Sequence, residues 1–153
     1  MALNFKISAS AKAAGASAAS PSRTLLIVDD TPSVLVTLRG FFQRQGWHLL
    51  EADTISEAMK LWDANSRYID AVVVDYVFEG KETGLDLVTY VQGRQRGVPC
   101  VVISGLWATE KPPRDEPARN LFYRAKPFEF RDLFAQLNAL CAAQGKANGG
   151  SPN

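Results

Sequence analysis

The sequence predicts an α/β protein with a doubly wound parallel sheet of five strands. Two kinds of segment that alternate along the chain lead to this fold class. Short, branched apolar runs alternate along the chain with segments whose apolar residues recur at the spacing of one helix face. Alternation of this kind favours strand–helix–strand units, in which the connecting helices cover both faces of a parallel sheet. A length of 153 residues suits one domain with a substantial buried core.

The five predicted strands are short apolar runs, which is typical of strands that are buried on both faces. They occupy residues 25–28, 47–50, 71–74, 98–103 and 121–124. Four helical segments between and after these strands carry apolar residues on one side. They begin near residues 32, 55, 84 and 129, and the last of them ends near residue 142.

Two of these helices begin at capping signals. Thr31 is a plausible N-cap, and Pro32 suits the first helical position. Thr54 and Glu57 fit a capping box, in which each side chain binds the backbone of the other residue. Both signals place a helix directly after a predicted strand, as the alternating pattern requires.

The connection after the fourth strand departs from the pattern. Prolines stand at positions 112, 113 and 117, and each would cost about 3 kcal/mol inside a helix. We therefore expect a fourth helix that is irregular or shortened.

Composition separates a folded domain from its two ends. Residues 24–143 contain the alternating pattern, whereas residues 1–23 are mostly Ala and Ser and lack acids. Residues 144–153 carry no periodic signal. We expect both ends to be disordered extensions, and a targeting peptide at residues 1–23 stays open.

Charge and hydropathy narrow the classes of partner. The formal net charge of +1 gives no reason to expect nucleic acid or an anionic membrane surface. No apolar run approaches the ~20 residues of a membrane helix. Cys100 and Cys141 lie in apolar surroundings without metal-like spacing, so we interpret them as buried thiols in a reducing compartment, the cytoplasm.

Three acids follow two of the most apolar strands. Asp29 and Asp30 end the first strand, and Asp75 ends the third. In a parallel sheet of order 2-1-3-4-5, the carboxyl ends of these two strands meet at the ligand-binding edge. Two bare charges 4 Å apart repel by about 4 kcal/mol at an effective dielectric constant near 20, so the cluster needs a cation or a proton. Oxygen ligands without His or Cys favour Mg²⁺.

Two further polar residues follow strands at the same edge. Ser104 ends the fourth strand and Lys126 follows the fifth. Together with the acids they supply a metal site, a hydroxyl and an ammonium group. Such a set suits the neutralisation of a phosphoryl group that is delivered to a carboxylate oxygen.

The stretches "LLIVDD", "VVVDY", "VVISG" and "YRAKPF" occur in this order at four predicted strand ends. With these motifs, residues 24–143 resemble the receiver domain of the two-component response-regulator family, in particular its chemotaxis-regulator-like members. The resemblance implies a flavodoxin-like fold. The separations of Asp30, Asp75, Ser104 and Lys126 along the chain are also close to those usual in the family.

The resemblance implies a role for each matching residue. Asp75 would be the phosphoacceptor, attacking the phosphorus of a partner's phosphohistidine. Asp30 would bind Mg²⁺ directly, Asp29 mainly through water, and the carbonyl of Val77 would add another ligand. Lys126 would pair with the phosphoryl group.

Two positions would serve as the switch of such a receiver. Ser104 would donate a hydrogen bond to a phosphoryl oxygen, and Tyr123 occupies the position of the family's rotameric aromatic residue. The Lys126–Pro127 peptide bond is expected to be cis, as is usual in the family.

The chain also departs from the family pattern. The loop after Asp75, which carries Val77, is one residue longer than usual before its glycine. Val77 and Leu106 are apolar at positions that often influence a hydrolytic water in the family, so we expect a long-lived phosphoprotein. The irregular connection predicts an unusual signalling face, with Trp107 exposed or half-exposed.

These features predict a stand-alone receiver, a phosphoacceptor that catalyses its own phosphorylation and dephosphorylation rather than a conventional enzyme. Its expected partners are a histidine kinase or a histidine phosphotransfer protein, and an unidentified downstream protein. About ten residues follow the last predicted helix, too few for an effector domain, so output would come from the receiver surface or by relay of phosphate.

Two alternatives stay open. A phosphorylation-independent adaptor with the same fold is favoured by the altered segments 76–84 and 105–120, and opposed by the complete acid, hydroxyl and lysine set. An aspartate-nucleophile phosphohydrolase would need its Asp-x-Asp motif after the first strand, whereas Asp75 follows the third.

Overall fold

A five-stranded parallel sheet forms the centre of the protein in a computed structural model, which describes residues 22–95, 97–113 and 120–149. The strand order is β2-β1-β3-β4-β5, as the sequence predicts. The strands are β1 (Thr24–Val28), β2 (His48–Ala52), β3 (Ala71–Asp75), β4 (Cys100–Ser104) and β5 (Leu121–Ala125).

Four α-helices flank the sheet within the described residues. They are α1 (Pro32–Arg44), α2 (Ile55–Asn65), α3 (Gly84–Arg94) and α4 (Phe130–Gly149). The helix α4 extends past its predicted end near residue 142 and so covers the first residues of the predicted tail. The predicted extension at residues 1–23 lies almost wholly outside the described residues, and the division into domain and ends stays a prediction.

The helices divide the core into two layers, one on each face of the sheet. Alternate residues of β1 belong to different layers: Leu26 packs with residues of α2 and α3, whereas Leu25 packs with residues of α1 and α4. All five residues of β1 are buried, because this strand lies inside the sheet and is covered from both sides. The doubly wound fold predicted from the sequence is confirmed.

Of the two N-cap residues predicted from the sequence, one makes a capping hydrogen bond through its side chain. Thr54 caps α2, since its hydroxyl accepts a hydrogen bond from the Glu57 N–H at 3.0 Å. Thr31 occupies the N-cap position of α1, but its side chain makes no capping bond. A reciprocal capping box forms at α3, between Thr83 and Asp86, where the sequence analysis did not place one.

The connection after β4 is irregular, as predicted. A short 3₁₀ helix, Gly105–Ala108, follows the strand, and residues 109–113 add no further helix. Pro112 and Pro113 lie in this segment, while Pro117 lies outside the described residues. Across the described ranges, no helix is both long and apolar enough to span a membrane.

Candidate functional site

The carboxyl edge of the sheet brings together the polar residues that the sequence singled out. Asp29 and Asp30 follow β1, and Asp75 is the last residue of the neighbouring strand β3. Ser104 ends β4, and Lys126 follows β5. Because all five strands are parallel, these ends point to the same side of the molecule.

The three acids form one cluster. Carboxylate oxygens of Asp29, Asp30 and Asp75, one from each residue, all lie within 4.8 Å of one another. Asp29 is buried and Asp30 is exposed, so the cluster reaches from the sheet edge to the surface. Asp29 is held in place by a hydrogen bond from the Thr31 N–H to its Oδ1 at 2.9 Å.

Lys126 connects the two deeper acids. Its Nζ lies 3.6 Å from Asp29 Oδ2 and 3.6 Å from Asp75 Oδ1. The side chain of Lys126 is 31% exposed and that of Asp75 is 11% exposed. The peptide bond from Lys126 to Pro127 is cis, as the resemblance implied.

The carboxyl group of Asp75 has a perturbed acidity. Burial raises its pKa to about 6, and the negative charge of Asp29 adds to this effect. Lys126 and the N–H of Tyr76 act in the opposite direction, but they do not outweigh burial and Asp29. The Tyr76 N–H donates to Asp75 Oδ1 at 3.0 Å. A second cation at this place would favour the ionised form that can attack as a nucleophile.

The donor set fits a hard divalent ion. Within the described ranges, three carboxyl groups gather around one ammonium group, so the side chains offer more acidic than basic groups. All of the side-chain donors in the cluster are oxygens, and Mg²⁺ is bound in proteins by one or two carboxylates while it keeps several waters. The exposed carboxylate of Asp30 leaves access from solvent.

Ser104 is buried at the carboxyl end of β4. Its Oγ accepts a hydrogen bond from the Leu106 N–H at 3.0 Å, which caps the 3₁₀ helix. Its carbonyl accepts from the Lys126 N–H at 3.0 Å. The hydroxyl proton is therefore available to a further acceptor, while the residue ties together the segments that carry Leu106 and Lys126.

Val77 lies in a loop that is closed at its base. An isolated antiparallel bridge pairs Val77 with Thr83, and the Gly84 N–H donates to the Tyr76 carbonyl at 3.0 Å. Gly80 lies at the tip of the loop between these pairs. Its φ of +97° is in the left-handed region, which glycine adopts readily. The side chain of Val77 is 48% exposed. Metal binding by its carbonyl stays a prediction.

Gly84 is a residue whose importance the sequence analysis missed. A Cβ atom at this position would lie 2.3 Å from the backbone oxygen of Asp75 and 3.2 Å from Val74 Cγ2. Only glycine permits this approach of α3 to the end of β3. The signal in the sequence was a glycine at the start of a helix, directly after a candidate site loop.

Three aromatic side chains from segments next to the site contact one another. Trp107 is half-buried, as predicted, and its ring centroid lies 5.3 Å from that of Tyr76 and 4.9 Å from that of Tyr123. Tyr123 is thus packed against Trp107 in this structure. Tyr76 was also missed by the sequence analysis, although it adjoins Asp75 directly.

Comparison with known proteins finds a matching family and relatives. Residues 25–138 match the family model of the response regulator receiver domain. The chain is 28% identical over 125 residues to the acid tolerance regulatory protein ActR of Sinorhizobium medicae (strain WSM419), covering 82% of this chain and 63% of that protein. It is 26% identical over 122 residues to the probable transcriptional regulatory protein TcrX of Mycobacterium tuberculosis (strain ATCC 25618 / H37Rv), covering 80% and 51% respectively. The chain thus spans less than two thirds of each of these relatives.

A solved structure shares the fold. The response regulator protein TrrA from Thermotoga maritima, in complex with Mg(2+)-BeF, superposes with a TM-score of 0.65 at 21% identity. The match covers 77% of this chain and 98% of that one.

Proposed function

This chain belongs to the response regulator receiver domain family, and on that premise we propose that it accepts a phosphoryl group on Asp75. Receiver domains act in two-component systems, bind Mg²⁺ at an acidic pocket and generally interact with histidine kinases or phosphotransfer proteins. The observation that carries the proposal is the convergence of Asp75 with two further carboxylates and Lys126 at one edge of the sheet.

Each residue of this site has a separate role in phosphoryl transfer. A carboxylate oxygen of Asp75 attacks the phosphorus, an O–P bond forms, and the bond from phosphorus to the histidine nitrogen of the donor breaks. The leaving nitrogen keeps the electron pair of that bond. Lys126 then pairs with a phosphoryl oxygen, and the Ser104 hydroxyl donates a hydrogen bond to another.

Asp29, Asp30 and Asp75 are the residues that would hold Mg²⁺, with the carbonyl of Val77 as an additional ligand. When bound, the ion supplies positive charge that offsets the repulsion between the carboxylates and the incoming phosphoryl group. Among the described residues Lys126 is the cation that pairs with the cluster, so a bound ion would supply the further positive charge that three carboxylates call for.

We further propose that the chain acts as a stand-alone receiver, either signalling through its own surface or relaying the phosphoryl group. The irregular segment 105–113, next to Ser104, supports an output face that differs from a regular helix. Its partners would be a histidine kinase or a histidine phosphotransfer protein, and a downstream protein. The buried free thiols Cys100 and Cys141 suit the cytoplasm.

Intact-mass measurement after incubation with acetyl phosphate and Mg²⁺ tests the central step. We expect the parent protein to gain one phosphoryl group and Asp75→Asn to gain none. Asp70→Asn is a matched control, because Asp70 precedes the opposite end of the same strand, where its Oδ2 accepts from the Thr24 N–H. Equal incorporation in the parent and Asp75→Asn would contradict the proposal.

The alternative is an adaptor that keeps the fold but acts without phosphorylation. The 3₁₀ helix and the irregular segment 109–113 favour it, because they alter a connection beside the site. Tryptophan fluorescence separates the two functions. A response to Mg²⁺ that changes again on addition of a small phosphodonor supports the phosphoacceptor, whereas the adaptor predicts no response to the donor.

A further inference from the structure

The half-buried ring of Trp107 lies between two tyrosines. Its contact with Tyr76 is tilted, at an interplanar angle of 42°, and its contact with Tyr123 is edge-on, at 80°. We refer to Tyr76, Trp107 and Tyr123 as the aromatic cluster. All three side chains also pack against the core layer that includes α2 and α3. Trp107 is thus the link between the two tyrosines.

Each member of the aromatic cluster is close in sequence to a residue of the candidate functional site. Tyr76 follows Asp75, and its N–H lies 3.0 Å from Asp75 Oδ1 and 2.8 Å from the Ile103 carbonyl. Tyr123 stands three residues before Lys126 in β5. The aromatic cluster therefore joins the segments that carry the acceptor and the lysine.

Trp107 is also tied to the hydroxyl of the site. It belongs to the 3₁₀ helix Gly105–Ala108, whose first turn is capped by the bond from the Leu106 N–H to Ser104 Oγ. The same turn continues into residues 109–113 through bonds from the Thr109 and Glu110 N–H groups to the Leu106 carbonyl. Hydrogen bonds thus connect Ser104 to the turn that carries Trp107 and to the segment that follows it.

We propose that Trp107 is a positioning residue, which couples the state of Asp75 to the conformation of residues 105–113. This inference rests on the proposed function and names how its signal leaves the site. A phosphoryl group on Asp75 draws the hydroxyl of Ser104 away from the Leu106 N–H, and the turn that carries Trp107 shifts with it. The ring contacts with Tyr76 and Tyr123 make the acceptor strand, the turn and β5 respond together.

The alternative is that Trp107 only fills space against the core. Packing alone predicts that its replacement lowers the free energy of unfolding without changing how residues 105–113 respond to phosphorylation. Coupling predicts the loss of that response in a protein that still folds and still takes up phosphate. The two possibilities therefore differ in a readout other than stability.

Amide hydrogen exchange of residues 105–113 tests the coupling, with Mg²⁺ and beryllofluoride as the probe in place of a phosphoryl group. Four variants are compared with the parent. Trp107→Leu and Tyr76→Leu remove either partner of the same ring contact, and Trp107→Phe keeps an aromatic ring. Tyr68→Leu is the control, because Tyr68 is an exposed aromatic residue outside the aromatic cluster.

In the parent we expect the probe to speed exchange of the Leu106 amide by about fivefold or more. Fivefold is about the lower end of the usual range of allosteric effects. Trp107→Leu and Tyr76→Leu lose most of this change, whereas Trp107→Phe and Tyr68→Leu retain it. Intact mass after acetyl phosphate treatment is measured on the same preparations. It shows whether each variant still takes up a phosphoryl group.

A full exchange response in both Trp107→Leu and Tyr76→Leu overturns the coupling. So does a parent that takes up phosphate but shows no change at residues 105–113, and in that case the proposed function stands. If the parent takes up no phosphate at all, both the proposed function and the coupling fail. Should Trp107→Leu be too unstable to fold, the response of Tyr76→Leu decides.

Discussion

Lys126 Nζ lies at equal distances, 3.6 Å, from carboxylate oxygens of Asp29 and Asp75. This lysine therefore stands between the two buried acids rather than pairing with one of them. In the free protein it lowers the cost of placing two negative charges side by side, and the same ammonium group is in place to meet a phosphoryl group on Asp75.

Replacing Lys126 is expected to separate metal binding from phosphoryl uptake. In Lys126→Gln the acid cluster loses its fixed cation, so Mg²⁺ binds at least as tightly as in the parent. Phosphoryl uptake from acetyl phosphate falls about 100-fold, the usual cost of removing one group that stabilises transition-state charge. Mg²⁺ titration and timed intact-mass measurements give the two quantities. Lys60→Gln, an exposed lysine on α2, is the control, and uptake by Lys126→Gln at the parent's rate would refute this role.

Gly84 offers a second test, because α3 contains a matched glycine. In Gly84→Ala the new Cβ would meet the backbone oxygen of Asp75 at 2.3 Å, so α3 or the end of β3 must move. Overpacking of this kind costs about 1–3 kcal/mol. At Gly93 nothing lies within 4 Å of a Cβ atom, so Gly93→Ala stabilises the helix by about 0.5–1 kcal/mol.

Urea unfolding of the two glycine variants measures these opposite effects on the free energy of unfolding. Gly84→Ala is also expected to weaken Mg²⁺ binding by the folded protein, since the clash is with Asp75 itself. Equal stability and equal metal affinity in Gly84→Ala and the parent would show that α3 does not position Asp75.

The side chains around the site predict a long-lived phosphoprotein. Val77 and Leu106 are both exposed and apolar, and neither can orient a water for attack on phosphorus. Val77→Gln introduces a group that can do so, and we expect faster loss of the phosphoryl group. Val36→Gln is the control, because Val36 is a similarly exposed valine on α1.

The decay is followed by intact mass after removal of the phosphodonor. The parent should keep its phosphoryl group well beyond the time of mixing and sampling. Decay of the parent within seconds would be evidence against the predicted lifetime, as would equal rates in Val77→Gln and Val36→Gln.

The two cysteines should be inert in the folded protein. Burial raises the pKa of Cys100 to about 12 and that of Cys141 to about 11, so both thiols stay protonated at pH 8. Only the thiolate reacts with disulfide reagents, and its fraction in the native state falls as the pKa rises. Labelling at pH 8 should therefore be slow until denaturant is added, when both thiols react. Rapid labelling of the native protein would mean that these side chains are not buried as described.

The strands and the acid cluster were predictable for a physical reason. Strands that are buried on both faces must be apolar throughout, so their ends are marked by the first polar residue, as at Asp29, Asp75 and Ser104. Parallel order then places those ends together. The prolines at 112 and 113 likewise predicted an irregular connection, because proline has no N–H to donate to the hydrogen bonds of a helix.

Other features depend on contacts that no local pattern encodes. Gly84 matters because of the distance between α3 and the Asp75 carbonyl, which only the packed structure defines. The contact of Trp107 with Tyr76 joins residues from different loops at no fixed spacing. The end of α4 was placed too early, because apolar periodicity stops near residue 142 while the helix continues to Gly149.

Peptide mapping after treatment with acetyl phosphate, once with Mg²⁺ and once with EDTA, identifies the phosphorylated residue and shows whether the metal is required. We expect a phosphoryl group on the peptide that contains Asp75 when Mg²⁺ is present, and almost none in EDTA. A phosphoryl group on another residue, or uptake that is unaffected by removal of the metal, would contradict it.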